Sequence, residues 1–321
     1  MTKSTIGLLG GSGFVGSVIA NRLVVGGHAV RILTRKREHA RDLWLLPDTH
    51  VVEVNPLDSE QLKEACSGCT AMVNLVGILN ESGDNGKGFH RAHVEVTQNL
   101  LNACKTTDVT HLVQMSALNA DCFAASYYLR SKGEAEKLLA DEHSNRLRIT
   151  VMRPSVIFGP HDDFTNRFAN LLKLAPGFLP LAATTTRFQP VYVNDVADVI
   201  VAALSARATT HQRFDIGGPE IVSLGEIVAY IARVVERSVR VISLGKQLSK
   251  LQANLFEYVP GKPFSRDNLR SMQEDSICIQ ANGLHHFGIT LTPMRVVVPA
   301  YLGQRNVRRR YDDYRAEASR D

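Results

Sequence analysis

Short apolar runs rich in β-branched residues alternate with amphipathic segments of helical length through the first half of this chain. The runs predict strands at Thr5–Leu9, Ala29–Thr34, Val51–Val54, Ala71–Val76, His111–Met115 and Arg148–Met152. Apolar positions three and four residues apart predict helices between them, at Val15–Val25, Ser59–Cys66, Phe89–Cys104 and Ala125–Glu142. Strands that alternate with helices are typical of a parallel sheet covered on both faces. The pattern therefore predicts an α/β fold with a doubly wound parallel sheet.

The second half of the chain has a different pattern, in which prolines interrupt a loop-rich region after Pro154. A helix is predicted at Asn166–Lys173, and a strand at Pro190–Val193 with a helix at Asp195–Leu204 predicts a return to the sheet. A further helix is predicted at Leu224–Glu236. We therefore expect a smaller C-terminal lobe that is interleaved with the sheet. The predicted division assigns 1–158 and 188–206 to the domain that contains the sheet, 159–187 and 207–303 to a substrate or partner lobe, and 304–321 to a basic, mixed-charge tail.

Composition narrows the class of protein. The 321 residues are 44% apolar and 21% charged, which are ordinary proportions for a globular protein with a full core. The longest apolar stretches, such as Val199–Leu204, fall far short of the roughly 18 residues that cross a bilayer. The N-terminus reaches a glycine cluster by Gly7, which leaves no room for the apolar region of a secretory signal. We expect a cytoplasmic protein, with a peripheral position on the inner face of the membrane as the alternative.

The cysteines and histidines give no metal signal. Cys66 and Cys69 form a Cys-x-x-Cys pair without a second pair, so two small apolar residues beside a turn are the better interpretation. Neither His90 nor His93 is accompanied by other ligands at metal-binding spacing. We therefore predict no metal site.

The net charge of +5 is concentrated in two basic clusters. One lies between Arg31 and Arg41, and the other is Arg308–Arg310 in the tail. Basic chains often bind nucleic acid, but this sequence has neither zinc-finger spacing nor an aromatic–basic RNA motif. We therefore predict no nucleic-acid partner. The tail is a candidate contact with an anionic membrane or a partner, and a mobile, solvated tail is the alternative interpretation.

A glycine-rich turn follows the first predicted strand and opens the first predicted helix. It reads Gly7-Leu8-Leu9-Gly10-Gly11-Ser12-Gly13-Phe14-Val15-Gly16. Glycines let the backbone turn tightly and bring its N–H groups close to a pyrophosphate, and the helix N-terminus adds a partial positive charge. The strand, the glycines, the helix and the position near the start of the chain all indicate a dinucleotide-binding turn.

The residues at the end of the second predicted strand indicate which of the two nicotinamide dinucleotides, NAD(H) or NADP(H), is expected. An NAD site usually has an acidic residue about twenty residues beyond the glycines, where it binds the ribose 2′-hydroxyl. This chain has Thr34 there, followed by Arg35-Lys36-Arg37. A guanidinium donates two hydrogen bonds to a 2′-phosphate, whereas a carboxylate would repel it. The sequence therefore favours NADP(H) over NAD(H), and a solvated basic loop is the alternative.

Ser116, Tyr128 and Lys132 form a Ser…Tyr-x-x-x-Lys set after the fifth predicted strand. Tyr and Lys four residues apart share one face of a helix. A nearby ammonium lowers the pKa of a phenol, so Tyr128 is the candidate general acid or base and Lys132 its partner. Ser116 is the candidate hydrogen-bond donor to the substrate oxygen. An exposed amphipathic helix is the alternative interpretation.

These residues resemble a known family, the short-chain dehydrogenases/reductases of the extended or atypical kind. The resemblance rests on the segments Gly10–Gly16, Tyr128–Lys132, Arg153–Pro160 and Gln189–Ala197. Tyr128-Leu129-Arg130-Ser131-Lys132 in particular is similar to the group around alpha-subcomplex subunit 9 of mitochondrial complex I and its bacterial homologues. The resemblance runs from about residue 5 to about residue 295. It implies a Rossmann domain that holds NADP(H), with a small lobe over the cofactor.

The resemblance also implies cofactor contacts along the chain. The pyrophosphate would contact Gly10, Ser12, Gly13, Phe14 and Val15, and the 2′-phosphate would contact Arg35, which follows Thr34. The adenine would contact Asn55 and Pro56, the ribose Leu75, Val76 and Gly77, and the nicotinamide Pro154 and Val156.

The chain departs from the family pattern at the catalytic serine. Extended reductases often have consecutive Ser or Thr residues after the fifth strand, and the last one is catalytic. That position is Ala117 in this chain. Ser116 and Tyr128 are also closer in sequence than in sugar-nucleotide enzymes, so the loop that shapes their substrate site is missing.

Three classes of function follow from these motifs. The first is an NADP-dependent oxidoreductase that acts on a quinone-like, lipid-like or other small carbonyl compound. The second is a non-catalytic protein that holds NADPH as an accessory or redox-sensing component of a respiratory or membrane-associated complex. The third is a nucleotide-sugar epimerase or dehydratase, whose pyrophosphate would need basic partners such as Arg187, Arg213 or Arg266.

Overall fold

The computed structural model describes residues 4–142, 146–206, 212–259, 262, 264–279 and 282–303. The strands are β1 (Thr5–Leu9), β2 (Ala29–Thr34), β3 (Thr49–Glu53), β4 (Ala71–Asn74), β5 (His111–Met115), β6 (Arg148–Pro154), β7 (Ile157–Phe158), β8 (Phe178–Leu181), β9 (Arg187–Phe188), β10 (Val191–Tyr192), β11 (Gln212–Ile216), β12 (Val222–Ser223) and β13 (Arg240–Ser243). The α-helices are α1 (Phe14–Val25), α2 (Ser59–Cys66), α3 (Lys87–His90), α4 (Val96–Thr106), α5 (Tyr127–Ala140), α6 (Asp163–Leu174), α7 (Val193–Ser205), α8 (Leu224–Val234), α9 (Lys246–Phe256), α10 (Arg266–Ser271), α11 (Gly283–His286) and α12 (Met294–Leu302). A 3₁₀ segment covers Arg37–Leu43, and a π-helical turn covers Arg91–Glu95.

Seven of the described strands form one parallel sheet in the order β11-β6-β5-β4-β1-β2-β3. Leu9, the last residue of β1, lies between Leu33 of β2 and Asn74 of β4. The strand order reverses at β1, and in doubly wound sheets a ligand crevice opens outside the carboxyl ends at this point. The predicted doubly wound α/β fold is confirmed.

Helices cover both faces of this sheet. Ile19 of α1 and Ile200 of α7 lie in the core on one face, and Leu62 of α2 and Leu100 of α4 lie in the core on the other. Every residue of β5 is buried, as expected for a parallel strand packed on both faces. Its two polar residues, His111 and Gln114, are buried as well and hydrogen-bond to the side chains of Thr150 and Asn74.

The smaller lobe has its own core. Phe158, Leu172, Leu224, Ile231 and Val298 are buried together there, around α6, α8 and α12. Two-stranded ribbons pair β7 with β10, β8 with β13 and β9 with β12.

Two details of the chain path differ from the prediction. Gln212–Ile216 forms the seventh strand of the sheet, whereas the predicted division placed it in the lobe. It is an edge strand that pairs with β6 alone, so it tolerates exposed Gln212 and Arg213. The strand predicted at Pro190–Val193 is the short β10, which pairs with β7 outside the sheet. The remaining division into domains stays a prediction.

The described ranges contain neither a candidate membrane-spanning helix nor a candidate metal cluster. No described helix has the length and apolar character needed to span a bilayer. No group of three or more His, Cys, Asp or Glu side chains in those ranges is arranged to hold a metal ion. The predicted tail, 304–321, lies outside the described residues.

Candidate functional site

The glycine turn lies at the switch point of the sheet, between β1 and α1. Gly10 has a positive φ of 80° and donates its N–H to the Leu33 carbonyl at 3.0 Å. A Cβ at Gly10 would come within 3.3 Å of the Leu75 and Val76 backbone, so only glycine fits. Gly13 is the N-cap of α1, and no side chain caps this helix. The free N–H groups of the first turn of α1 are therefore available to an anion, which fits a pyrophosphate.

The basic loop after β2 presents one unengaged guanidinium. Thr34 is buried, and its hydroxyl lies 3.0 Å from the Ser12 hydroxyl, which ties the glycine turn to the end of β2. Arg31 donates to the Ala65 and Ser67 carbonyls, so it is structural. Arg35 is exposed, and no hydrogen bond or ion pair holds its guanidinium within the described ranges. Arg35 is therefore the residue of this loop that is most available to a phosphate.

The predicted adenine and ribose contacts follow along the same edge of the sheet. Asn55 is exposed in a turn after β3, where its side-chain oxygen accepts from the Leu57 N–H at 3.1 Å. The carbonyl of the buried Pro56 accepts from Asn99 at 3.3 Å. Val76 donates its N–H to the Asn74 side chain, and Gly77 follows it as an exposed residue.

The segments implied to contact the nicotinamide and pyrophosphate complete this edge. Pro154 is the buried last residue of β6, and the Val156 carbonyl accepts from the Val191 N–H at 3.0 Å. Phe14 and Val15 are half-buried in the first turn of α1. The sheet therefore brings most of the predicted cofactor residues to the carboxyl ends of neighbouring strands.

Lys132 is a buried ammonium that faces the cofactor edge. Its Nζ donates to the carbonyl of Met115 at 3.1 Å and lies 3.4 Å from the carbonyl of Val76, so it bridges the ends of β5 and β4. Burial lowers the pKa of Lys132 to about 8, and the Glu136 carboxylate opposes this shift. A Cβ at Gly77 would lie 3.4 Å from this Nζ, which places the lysine beside the residue implied to face the ribose.

Tyr128 is in the first turn of α5, on the same helix face as Lys132. Its ring packs edge-on against Phe89 at 6.0 Å and against His93 at 5.6 Å between ring centroids. Burial raises the pKa of Tyr128 to about 12. The sequence predicted that Lys132 would lower this pKa, and that expectation is wrong for this structure, because the ammonium donates to main-chain carbonyls instead of the phenol.

His93 is a neighbour of Tyr128 that the motifs did not reveal. The predicted helix Phe89–Cys104 is interrupted by the π-helical turn that contains it. His93 is buried, its Nε2 accepts from the Ile78 N–H at 3.2 Å, and its Nδ1 lies 2.8 Å from the Ser131 hydroxyl. Burial and the nearby Lys132 hold the pKa of His93 well below its usual value, so it is neutral. Its place on the apolar stripe of that helix was the available signal, since a polar residue there must be buried.

The Ser116 hydroxyl is hydrogen-bonded to a carboxylate and not to Tyr128. Its hydroxyl donates to the buried Glu136 carboxylate at 2.5 Å. Arg153 pairs with the same carboxylate, and Arg213 lies 3.6 Å from it. The structure therefore places Ser116 in a buried ion cluster under α5, while Tyr128 and Lys132 lie together at the cofactor edge.

The smaller lobe contributes an acidic side chain to the helix that carries Tyr128. Both oxygens of the buried Asp267 accept from the backbone of α5, from the Tyr127 N–H at 2.7 Å and the Tyr128 N–H at 3.0 Å. Arg270 donates to both oxygens of Asp84 and also to Asp267 at 3.3 Å. No local pattern in the sequence indicates that Asp267 binds α5, because the Tyr127 and Tyr128 N–H groups that it accepts from are more than a hundred residues away.

The arginines considered as pyrophosphate partners all have carboxylate neighbours. Arg187 pairs with Asp275 at 2.8 Å, Arg213 lies near Glu136, and Arg266 lies 3.7 Å from Asp84. The carboxylates neutralise much of the positive charge that a nucleotide-sugar pyrophosphate would require.

The fold and the glycine turn define a Rossmann dinucleotide-binding protein. The sequence profile of the NAD dependent epimerase/dehydratase family matches residues 6–217, and the chain belongs to this family. Gly10 and Gly13 fit the pyrophosphate of a dinucleotide, since a Cβ at either position would lie 3.3 Å from a backbone atom.

Curated relatives include both respiratory subunits and reductases. The chain is 27% identical over 305 residues to NADH dehydrogenase (ubiquinone) 1 alpha subcomplex subunit 9, mitochondrial, of Arabidopsis thaliana, covering 90% of this chain and 74% of that protein. It is 28% identical over 296 residues to the Mus musculus subunit of the same name, covering 90% and 77%. It is also 27% identical over 176 residues to 2-alkyl-3-oxoalkanoate reductase of Shewanella oneidensis, covering 48% and 44%. The predicted resemblance to this group is confirmed.

Solved structures with the same fold include nucleotide-sugar enzymes. A UDP-N-acetylglucosamine 4-epimerase from Methanobrevibacter ruminantium M1 has a TM-score of 0.71 at 14% identity, covering 94% of this chain and 96% of that one. A dTDP-glucose 4,6-dehydratase from Streptomyces venezuelae with NAD bound has a TM-score of 0.70 at 18% identity, covering 92% and 95%. At these identities the likeness concerns the fold alone.

Proposed function

We propose that this protein is an NADP(H)-dependent reductase or dehydrogenase that acts on a quinone-like, lipid-like or other small carbonyl compound. The observation that carries the proposal is the pair formed by Tyr128 and Lys132. The two lie on one face of α5, with the lysine buried against the ends of β4 and β5 and the phenol ring fixed by Phe89 and His93. The similarity to a 2-alkyl-3-oxoalkanoate reductase supports the carbonyl class.

The chain's own groups have distinct roles in this proposal. A bound nicotinamide supplies or accepts hydride. Gly10, Ser12 and Gly13 hold the pyrophosphate, and Lys132 keeps a positive charge beside the ribose and the phenol. Tyr128 donates a proton to the substrate oxygen in reduction, because its high pKa keeps the proton on the phenol at neutral pH. Ser116 supports the site indirectly, since its hydroxyl is bonded to Glu136 beneath the helix.

The preference for NADP(H) over NAD(H) is part of the proposal. Thr34 occupies the position where an acidic residue would bind the ribose 2′-hydroxyl, and the unengaged Arg35 follows it. A free guanidinium donates charge-assisted hydrogen bonds to a 2′-phosphate.

The test is steady-state NADPH oxidation with a panel of quinones, long-chain ketones and β-keto acids. The proposal predicts sustained turnover with at least one apolar carbonyl compound and loss of that turnover in Tyr128→Phe. Binding of NADPH without turnover across the panel would contradict it.

A non-catalytic, NADPH-holding accessory protein is the second candidate. The observation that favours it is the state of the serine position, where Ser116 is bonded to Glu136 and Ala117 follows it. The similar plant and mouse proteins are subunits of NADH dehydrogenase, which makes a respiratory complex the partner to test. Co-purification of the full chain with such a complex, together with tight NADPH binding and no turnover, would select this candidate.

The nucleotide-sugar alternative has the least support. Its required basic partners lie beside carboxylates, as described for Arg187, Arg213 and Arg266. A thermal shift with UDP-sugars would reverse this ranking.

A further inference from the structure

Residues 79–86 form a loop between β4 and α3. The carboxylate of the buried Glu81 holds this loop together, because one of its oxygens accepts from the Asn85 N–H at 3.0 Å and from the Gly86 N–H at 2.6 Å. Its other oxygen accepts from the Gly88 N–H of α3 at 2.7 Å. The loop is therefore a folded unit with its own internal hydrogen bonds.

Both ends of the 79–86 loop lead to side chains that pack on the Tyr128 ring. Directly before the loop, the Ile78 N–H donates to His93 at 3.2 Å, and after the loop α3 carries Phe89. His93 and Phe89 contact the phenol ring at 5.6 and 6.0 Å between ring centroids. A displacement of the loop would therefore move the contacts that fix the phenol.

An ion pair anchors the loop on the smaller lobe. Two guanidinium nitrogens of Arg270, in α10, donate to the two oxygens of Asp84 at 2.7 and 2.8 Å. These hydrogen bonds hold the pKa of Asp84 below its usual value, which keeps the carboxylate ionised. Lys262 adds a bond to the main chain, since its ammonium donates to the Glu81 carbonyl at 2.7 Å. Bidentate pairs between a guanidinium and a carboxylate are strong and directional, so Arg270 fixes the orientation of the loop.

Arg270 also reaches the first turn of α5. It donates to Asp267 at 3.3 Å, and Asp267 accepts from the Tyr128 N–H. The guanidinium carbon of Arg270 lies over the Tyr127 ring, 5.2 Å from its centroid. The same ring packs against Gly86 of the loop, where a Cβ would lie 2.7 Å from it. Arg270 therefore joins the loop, α10 and the start of α5.

We propose that Arg270 is a positioning residue of the reaction, because it holds the 79–86 loop against α5 and thereby fixes the Tyr128 phenol at the cofactor edge. This role rests on the proposed function, in which Tyr128 transfers the proton. Proton transfer requires near-attack geometry, and a misplacement of about 1 Å can lower the rate roughly a hundredfold. Arg270 acts through Asp84 and Asp267, so its loss should lower turnover without removing the group that transfers the proton.

The kinetic test uses a carbonyl compound that the parent turns over with NADPH. Arg270→Ala should lower kcat roughly ten- to a hundredfold, because the phenol is misplaced. The affinity for NADPH should stay close to that of the parent, since the glycine turn is unchanged. Arg270→Lys should retain an intermediate kcat, because lysine keeps the charge but not the bidentate geometry. The matched control is Arg295→Ala, which removes an exposed arginine that pairs with Glu220 in the same lobe and should leave kcat unchanged.

A double variant shows whether the two charged residues act as one pair. Asp84→Asn should also lower kcat, because an amide has only one acceptor oxygen for the two guanidinium N–H groups. Arg270→Ala combined with Asp84→Asn should lower kcat no further than Arg270→Ala alone, since the interaction is already lost. Losses that multiply would mean that the two residues act independently, which would overturn the role of the pair.

Amide hydrogen exchange tests the anchoring of the loop without any substrate. In Arg270→Ala, peptides that cover residues 79–86 and the first turn of α5 should exchange faster than in the parent, because local opening becomes easier. Peptides of α2 (Ser59–Cys66) should exchange at the rate of the parent, which separates a local release from general destabilisation.

These measurements distinguish the role of Arg270 from the proposed function. Unchanged exchange of the 79–86 loop in Arg270→Ala would overturn that role, even in an active reductase. Faster exchange with an unchanged kcat would also overturn it, because the loop would then be anchored without positioning Tyr128. A parent that turns over no carbonyl compound would overturn the proposed function instead, while faster exchange would still show that Arg270 anchors the loop.

Discussion

The two ends of the candidate site are built in different ways. The pyrophosphate end is one continuous turn, in which the backbone of residues 10–16 and the N-terminus of α1 supply the binding groups. The Tyr128 end is assembled from separate elements, since Phe89 and His93 pack on the ring and Asp267 of the other lobe holds its helix. The first end depends on local sequence, and the second depends on how the lobes meet.

This difference separates cofactor binding from catalysis. A change in the smaller lobe can reach Tyr128 through Asp267, whereas the backbone of Gly10 contacts β2 and the end of β4. We therefore expect variants at the Tyr128 end to affect turnover and variants at the glycine turn to affect affinity.

The largest effect is expected for Tyr128→Phe. The phenylalanine keeps the edge-on packing against Phe89 and His93 but has no proton to transfer, so turnover should fall by roughly a hundred- to ten-thousand-fold. NADPH affinity, measured by fluorescence titration, should stay within twofold or so of the parent, because the pyrophosphate end is unchanged. A retained rate would place the proton donor elsewhere.

At the pyrophosphate end, the largest effect on cofactor affinity is expected for Gly13→Asp. Its Cβ would lie 3.3 Å from the Gly10 carbonyl, and its carboxylate would repel the pyrophosphate, so affinity should fall about a hundredfold or more. The matched control is Gly245→Asp, because Gly245 is the N-cap of α9 and a Cβ there meets nothing within 4 Å. Undiminished NADPH binding by Gly13→Asp would show that the cofactor binds elsewhere.

The stability of the protein should depend on pH through Lys132, the buried lysine at the Tyr128 end of the site. The pKa of Lys132 is lowered to about 8 in the folded protein, from 10.5. Below about pH 8 Lys132 is protonated in both the folded and the unfolded protein, so the cost of burying the ammonium is fully present. Above about pH 10.5 Lys132 is neutral in both states, and that cost is absent. The free energy of unfolding of the parent relative to Lys132→Met should therefore rise by about 3 kcal/mol between these values. Urea unfolding of both proteins across this range measures it, and a constant difference would mean that Lys132 titrates normally.

The sequence predicted the pyrophosphate end of the site far better than the Tyr128 end. Gly10 and Gly13 are recognisable because a strand, a tight turn and a helix follow one another without a gap. His93 and Asp267 are not recognisable in this way, because their partners lie in distant segments. The direction of the Tyr128 pKa shift also needed the structure, since helical spacing places Lys132 on the correct face but does not show that main-chain carbonyls accept its hydrogen bonds.

A smaller effect, on cofactor choice, is expected for Arg35→Ala. Hydrogen bonds from a guanidinium to the 2′-phosphate contribute roughly 1.5–3 kcal/mol, so NADPH affinity should fall about ten- to a hundredfold while NADH affinity stays nearly unchanged. Arg41→Ala is the control, because Arg41 is paired with Glu38 in the same loop. Adding Thr34→Asp to Arg35→Ala should reverse the preference, since a carboxylate accepts from the ribose hydroxyls. An equal loss for both cofactors would mean that the loop only adds general positive charge.

The smallest effect is expected for Asp267→Ala, which tests whether the lobes are coupled through α5. The substitution leaves the Tyr127 and Tyr128 N–H groups without their carboxylate acceptor, so the free energy of unfolding should fall by about 1–2 kcal/mol. Asp58→Ala, which removes the N-cap of α2 away from the lobe, should cost a similar amount and serves as the control. The two variants should differ in function: Asp267→Ala should lower turnover with little change in NADPH affinity, because it loosens the first turn of the helix that carries Tyr128. Asp58→Ala should leave turnover unchanged, and equal turnover losses in both variants would mean that stability alone, and not the position of Tyr128, links the smaller lobe to the site.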